Sequence, residues 1–291
     1  MFDHIECFYS PVSVREALSL LRKAGNRGRV VAGATDLVLQ ADRSTRFLVD
    51  ITRAGLNYVR GNRRGWVIGA TATMADLERS PAIRALAGGI LAKAAATCGS
   101  IQNRNMATIG GNLANASPAA DTAAVLLALG ARLVVATSRS RRKMALAEFY
   151  AGPHQTTLNG ALLVEVVIPA LPRGGRTGWS FQKLGRTETD ISLVNVAAGL
   201  QFDPRGKVKW ARVALGAVGP KPLRAQKTEE LLLGQALTEN LLTTAGEAAM
   251  TEVSPRSDCR ASAEYRREMS SVLVRRALRD CAARAGVPVE T

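Results

Sequence analysis

Val14, Ala17, Leu18 and Leu21 recur at three- and four-residue spacing after Pro11. This is the period of a helix with one apolar face, and it predicts a helix over residues 12–24. A short apolar strand over residues 29–32 then runs into Gly33. Strands over 47–51 and 66–70 follow, separated by the polar, glycine-containing segment 61–65. Residues 82–97 read as helical by composition, so the chain opens as β-α-β with mixed order. The centre changes character: TIGGN, then the small-residue stretch LANASPAA, then the apolar run DTAAVLLALG. A helix over 122–129 is expected there, with Asp121 as its N-cap and Gly130 as its stop. A strand over 132–136, a basic turn and an apolar strand over 162–168 closed by Pro169 come next. LPRGGRTG, residues 171–178, is the clear linker-like break, and a domain boundary belongs there. Beyond it, strands are predicted over 179–184, 193–202 and 208–218. Helices follow over 228–233 and 238–250, with a long Arg-rich one over 263–283. No internal repeat is visible.

The length of 291 residues favours two domains, each large enough for its own core, and 47% hydrophobic with 22% charged residues is a globular composition. No stretch reaches the ~18 apolar residues of a membrane helix. The opening MFDHIECFYS has no basic region followed by an apolar core, so no signal peptide is expected and the cytoplasm is the expected location. The charge of +15 comes from 31 Arg and 8 Lys against 24 acidic residues. Scattered arginines and 4% aromatics speak against nucleic acid, whose binders cluster their basic residues and interleave aromatics. The excess is either a solvated arginine-rich surface or an attraction to an anionic partner. Arg139, Arg141, Arg142 and Lys143, and the C-terminal Arg266, Arg267, Arg275, Arg276 and Arg279, are the candidates for the second reading.

Cys7, Cys98, Cys259 and Cys281 form no C-x-x-C pair, and the histidines are only His4 and His154. Zinc and iron–sulfur spacings are absent, as is a G-x-S-x-G elbow. Chemistry is therefore expected from a bound cofactor. Two glycine-bearing segments offer a place for one. VVAGATDL comprises Val30, Val31, Ala32, Gly33, Ala34, Thr35, Asp36 and Leu37, a strand running into a turn with few side chains over its N–H groups. TIGGN comprises Thr108, Ile109, Gly110, Gly111 and Asn112. Rows of main-chain donors of this kind suit a pyrophosphate, though a glycine-rich segment on its own is more often a plain structural turn. Neither matches the Rossmann or Walker pattern.

Together, VAGATDL, QNRNMATIGGNLANASPAADTAAVLLALGA and LGRTETDISLVNVAA resemble the FAD-binding medium subunit of the molybdenum hydroxylases, and the likeness runs the whole chain. The C-terminal PRSDCRASAEYRR looks most like the purine-oxidising, xanthine dehydrogenase-like members. The resemblance implies an α+β fold: a two-lobed FAD-binding domain over 1–172, with lobes near 1–55 and 56–172, and a smaller C-terminal α+β domain over 178–291. It implies that both glycine segments wrap the FAD pyrophosphate with backbone amides, so that Gly110→Val should block it. Asp121 matches an aspartate that binds FAD, its alternative being the helix N-cap. Leu162 or Leu163 matches an apolar residue against the cofactor, with core packing as the alternative. Lys183 stands near a family lysine that contacts the cofactor, which some relatives carry where this chain has Gln182. Cys98 falls where some relatives place an aromatic ring against the flavin, or is a small buried residue.

Tyr150, His154 and Tyr265 read as surface or packing residues, Glu165 as the exposed face of a strand, and Asp190 as the ion-pair partner of Arg186 or a group at the flavin edge. The implied partners are a large subunit holding a molybdopterin cofactor and a small subunit holding two [2Fe–2S] clusters. Electrons would reach FAD here and leave to NAD+ or another acceptor. The competing readings are an assembly subunit that has lost flavin and a basic nucleic-acid-binding protein.

Overall fold

The computed structural model describes residues 4–40, 42–62, 64–172 and 175–291. Arg173 and Gly174, within the linker-like stretch, lie outside the described residues. The first sheet is parallel, with Phe47–Asp50 between Cys7–Tyr9 and Gly28–Val31. The helix Val14–Ala24 covers it through buried Ala17 and Leu18. It starts two residues later than its apolar spacing suggests, because Ser13 takes the N-cap and its hydroxyl accepts from the Glu16 N–H.

The second sheet is antiparallel and five-stranded, in the order Val59–Asn62, Gly65–Gly69, Leu162–Pro169, Arg132–Ala136, Arg141–Ala145. Its edge strand carries Arg141, Arg142 and Lys143. Charged side chains at an edge discourage pairing with another sheet, a structural use for this basic run. The expected helix over 82–97 is two helices, Pro81–Ala85 and Ile90–Ala96, because Ala87, Gly88 and Gly89 adopt positive φ between them. A small hairpin, Tyr150–Gly152 with Gln155–Thr156, was not expected from the pattern, its strands being too short to show a period.

The third sheet is antiparallel, in the order Arg176–Leu184, Val194–Phe202, Val208–Gly216, Leu223–Arg224. Every residue of Val194–Phe202 is buried, because both faces are covered. Val194, Val196, Ala198, Leu200 and Phe202 join the core formed with the helices Glu239–Glu252 and Ala263–Arg284. Ala197, on the other face, joins the core of the N-terminal part together with Trp179, Phe181 and Ala214. Between them lies the helix Asp121–Ala128, all eight of whose residues are buried. A helix apolar on every side belongs in such a place.

Arg266, expected among candidates for an anionic partner, is internal. It donates to the Leu193 carbonyl at 2.7 Å and to Asp258 at 2.9 Å. Arg279 pairs with Glu239. Among the described residues no helix is long and apolar enough to cross a membrane.

The long C-terminal helix approaches its sheet at Gly178, where an added Cβ would lie 1.8 Å from the Cys281 carbonyl oxygen. Cys281 is fully buried, and its Sγ lies 3.4 Å from the Ala198 carbonyl. Gly178→Ala forces helix and sheet apart. The expected loss is about 2–3 kcal/mol of stability, read as a lower urea midpoint; an unchanged midpoint would mean that this contact is loose.

Candidate functional site

The strand Gly28–Val31 ends where the chain turns over Ala32 and Gly33 into the short helix Leu37–Gln40. Gly33 is needed for closeness: a Cβ there would sit 1.9 Å from the Met106 carbonyl oxygen and 2.9 Å from Ala107 Cα. This contact places the first glycine segment against the residues that lead into Thr108. Positive φ falls on its neighbour Ala34, at 57°, a conformation that costs an L-residue about 1–2 kcal/mol. Across this turn the main-chain N–H groups of Gly33, Ala34, Thr35, Asp36 and Leu37 find no hydrogen-bond acceptor among the described residues. The Ala34 and Asp36 carbonyls, by contrast, accept from Val38 and Gln40. Five consecutive N–H donors in one short turn are thus left without an acceptor among the described residues. Val30 and Val31 belong to the preceding strand.

The second glycine segment is built differently. Residues 109–114 form a helix, Ile109–Ala114, with Thr108 as N-cap. Its early N–H groups already have partners: Ile109 donates to the Ala72 carbonyl, Gly110 to Ala70 at 2.8 Å, Gly111 to the Thr108 hydroxyl and Asn112 to the Thr108 carbonyl. The expectation of a second row of free amides is therefore not met at these four positions. Gly110 is buried and has no left-handed backbone; a Cβ there would lie 2.6 Å from the Ala70 oxygen. A valine at Gly110 would thus strike the protein's own main chain, which corrects the expected reason for its effect. Gly111 is exposed and Asn112 half-buried, the latter accepting from the Thr122 hydroxyl at 2.5 Å. The segment forms a braced wall beside the first loop.

The rim of this corner is polar. The Asn115 side chain accepts from Gln40 Nε2 at 3.1 Å and also hydrogen-bonds Asp36. The Asp36 carboxyl is raised above the ordinary carboxylate range by partial burial, opposed by the nearby His154 ring and by the Asn115 bond. His154 and Asn115 were not singled out for this place. They are distant in sequence from residues 33–37, and no local pattern announces them.

Asp121 and Lys183 meet at a second centre. The helix N-cap is Ala120, so Asp121 is the first helical residue and its side chain is not the cap. Its buried carboxylate receives four donors: Oδ1 takes Ser192 Oγ at 2.5 Å and Asn195 Nδ2 at 2.8 Å, and Oδ2 takes Lys183 Nζ at 2.7 Å and Thr97 Oγ1 at 3.3 Å. Lys183 also donates to the Thr97 carbonyl at 2.9 Å. Asn195 was missed although it left a signal: it is a lone amide in the apolar run VNVAAGL, and strand alternation turns it toward Asp121, away from Val194 and Val196. Cys98 sits beside this pair, its Sγ 3.3 Å from the Ala94 carbonyl, and burial pushes its thiol up to about 12. It therefore stays protonated near neutral pH.

Leu162 and Leu163 pair with Ala136 and Val135, and both are buried in the sheet. Glu165, expected on an exposed face, is half-buried at a bulge and accepts from the Tyr58 hydroxyl at 2.7 Å. Arg186 and Asp190 form their ion pair at 2.8 Å in an exposed loop. Tyr150 is buried, and burial raises its phenol above the ordinary range.

Removing one member of a buried ion pair leaves the other charge without compensation in a medium that solvates it poorly. Lys183→Met should cost about 3–5 kcal/mol. Lys183→Met combined with Asp121→Asn should recover part of that loss in a double-mutant cycle of urea unfolding. Strict additivity of the two substitutions would show that the pair contributes no coupling.

Comparison with known proteins gives this arrangement a family. Residues 2–171 match the model of the FAD binding domain in molybdopterin dehydrogenase, and residues 179–281 that of the CO dehydrogenase flavoprotein C-terminal domain. The chain is 31% identical over 275 residues to the glyceraldehyde dehydrogenase medium chain of Sulfolobus acidocaldarius, covering 93% of this chain and 96% of that one. It is 30% identical over 294 residues to the xanthine dehydrogenase FAD-binding subunit of Escherichia coli O157:H7, covering 98% and 99%. Among solved structures, a carbon monoxide dehydrogenase from Hydrogenophaga pseudoflava superposes with a TM-score of 0.90 at 33% identity, over 97% of this chain and 98% of that one. The chain belongs to the molybdenum hydroxylase family, as an oxidoreductase subunit of its FAD-binding type.

Proposed function

We propose that this chain holds FAD by its pyrophosphate on residues 33–37, takes electrons from the [2Fe–2S] clusters of a small partner subunit and delivers them to NAD+ or another acceptor. A large partner subunit with a molybdopterin cofactor would oxidise the substrate, in a xanthine- or purine-dehydrogenase-like reaction in the cytoplasm. The observation that carries the reading is the run of five N–H groups without an acceptor. Main-chain dipoles bind a dianion without a mobile cation, and a turn already held by Gly33 against Met106 gives up little conformational freedom on binding. Thr108 and Asn112 supply side-chain polar groups from the facing wall. The bound flavin supplies one- and two-electron transfer, while the residues of this chain bind and orient it.

We assign Asp121 and Lys183 to the cofactor region through position: the pair sits beside Cys98 and fixes Thr97 and Ser192, so the walls it braces keep one geometry. Leu162, in the sheet behind, is assigned an apolar supporting role. We further propose that the FAD-binding domain ends near residue 172 and the C-terminal domain begins near 178, with lobes dividing near residue 55. The separate matches to residues 2–171 and 179–281 support the main boundary.

The test separates a pyrophosphate cradle from a generic flavin pocket. Flavin-free protein, assembled with its partners, is titrated with FAD, FMN and riboflavin while flavin fluorescence is followed. FAD is expected at one equivalent, about tenfold or more tighter than FMN and about a hundredfold tighter than riboflavin, since charge-assisted hydrogen bonds are the strong ones. Equal affinity for FAD and riboflavin would remove the basis of the reading, and no flavin binding at all would favour an assembly subunit.

A further inference from the structure

The five-stranded sheet gives one face to the core: Ile68, Val166 and Leu133 stand in one cross-strand row, and all three are core residues. Cross-strand partners share a face and successive residues alternate, so the rows on either side point the other way. One outward row runs Arg60, Val67, Val167, Arg132, Ala145. The next runs Gly69, Glu165, Val134, Lys143, with Arg141 two residues before Lys143 on the same side. Neighbouring strands lie about 4.8 Å apart, so Arg60 and Lys143, on the two edge strands, bound a face roughly 19 Å wide.

The free charge on this face has one sign. Arg60, Arg132, Arg141 and Lys143 are exposed, and among the described residues none of them forms an ion pair. The acidic residue in these rows, Glu165, is half-buried and accepts from the Tyr58 hydroxyl at 2.7 Å. A plain solvated face interleaves both signs, and the exposed Arg29, Arg186 and Arg284 of this chain do have carboxylates beside them. Between the cations the face is apolar. Val67 and Val167 are half-buried, and a cavity of about 440 Å³ opens among Tyr58, Arg60, Trp66, Val67, Glu165 and Val167. Arg60 is already placed: its guanidinium lies 4.4 Å from the centre of the Tyr58 ring, which Glu165 holds in turn, so it gives up little freedom on binding.

An apolar centre ringed by unpaired cations has the anatomy of a protein interface, and its complement carries carboxylates. A nucleic acid fits it less well. Its binders offer open aromatic faces for stacking, whereas Arg60 covers the Tyr58 ring and Glu165 opposes a phosphate backbone. We propose that this outer face is the docking surface for an acidic segment of a partner subunit, whose carboxylates pair with Arg60 and Arg132 on either side of Val67 and Val167 and with Arg141 and Lys143 beyond. The proposal rests on the reading of this chain as one subunit among protein partners and is independent of the pyrophosphate assignment at residues 33–37. It gives the basic run at 141–143 a use besides protecting the sheet edge.

The test is made on the full chain assembled with its partner subunits. Wild type is compared with Arg60→Glu combined with Arg132→Glu, with the milder Arg60→Gln combined with Arg132→Gln, and with Arg267→Glu combined with Arg276→Glu. The last pair is exposed on the C-terminal helix and changes net charge as much as the first. Assembly is followed by sizing chromatography over a protein dilution series at low salt, thermal melts check each fold, and flavin absorbance counts FAD. The face reversal is expected to weaken assembly about tenfold or more, the glutamine pair less, and the helix reversal within about twofold. Carbodiimide coupling, which joins an amine directly to a carboxylate, should link Lys143 to an aspartate or glutamate of the partner and so name the subunit. Unchanged assembly of the face reversal overturns the proposal, even where it releases RNA or anionic vesicles that the wild type retains. Equal weakening by both reversals assigns the effect to net charge and also overturns it. Should the face reversal fail to fold, the glutamine pair decides by the same comparison. A wild type that assembles without FAD removes the flavin reading and leaves docking standing, whereas FAD at full content with assembly indifferent to the face removes docking alone.

Discussion

A single approach of two main chains organises the candidate site. Gly33 lies so near the Met106 carbonyl that no side chain fits between them, which places residues 33–37 beside a segment more than seventy positions away in the sequence. The facing segment is rigid in its own right. Ile109 and Gly110 donate to Ala72 and Ala70, and the absence of a Cβ on Gly110 lets the helix Ile109–Ala114 lie against Ala70. One glycine segment thus leaves its N–H groups without an acceptor among the described residues, while the other uses them to fix its own position. The same residue type serves opposite ends: close packing in both, donor exposure in only one. At the proposed pyrophosphate site, a turn already held by the Gly33 contact would lose less conformational entropy on binding than a mobile loop.

The buried pair of Asp121 and Lys183 performs a different task, joining elements rather than presenting groups. The pair joins the helix Asp121–Ala128 to the strand Arg176–Leu184, and its partners come from the residues after Ile90–Ala96, from Ser192 and from the strand Val194–Phe202. A carboxylate with four donors offsets the cost of leaving water, and it does so only when all these elements sit in one register. A slip of one residue along Val194–Phe202 would turn Asn195 to the opposite face and bring an apolar neighbour to the carboxylate. The apolar contacts across the same junction, with Trp179 and Phe181 on one side and the all-buried helix on the other, supply attraction without direction. The polar contacts supply the direction.

Much of this was legible from residues alone, and the misses have physical causes. The amphipathic helix Val14–Ala24 and the continuous apolar strand Val194–Phe202 announce themselves by period and by length. The break at Ala87, Gly88 and Gly89 does not, because the surrounding sequence is apolar and helix-favouring on both sides and only backbone angles reveal the turn. Cys7–Tyr9 and the hairpin around His154 are too short to carry a period. At the site, the two glycine segments could be recognised, but not which of them keeps its N–H groups free, since close packing and ligand approach demand the same missing side chain. Asp121 before an apolar helix reads locally as a cap. Its partners Ser192 and Asn195 lie some seventy residues away, and tertiary pairing overrides the local reading.

The charge distribution also takes its meaning from distance. A formal +15 suggests a strong field over the molecule, yet salt screens exposed charges beyond about 8 Å at physiological ionic strength. Several arginines are also locally neutralised: Arg29 by Asp42, Arg104 by Glu78, Arg186 by Asp190, Arg266 by Asp258 and Arg284 by Asp280. The first glycine segment contains no basic residue, so the potential felt by an anion there comes from main-chain dipoles and the few charges within a screening length. Backbone dipoles do not titrate. On the proposed reading, a cradle made of N–H groups keeps a constant attraction for phosphate across pH, set by geometry and not by a titrating side chain.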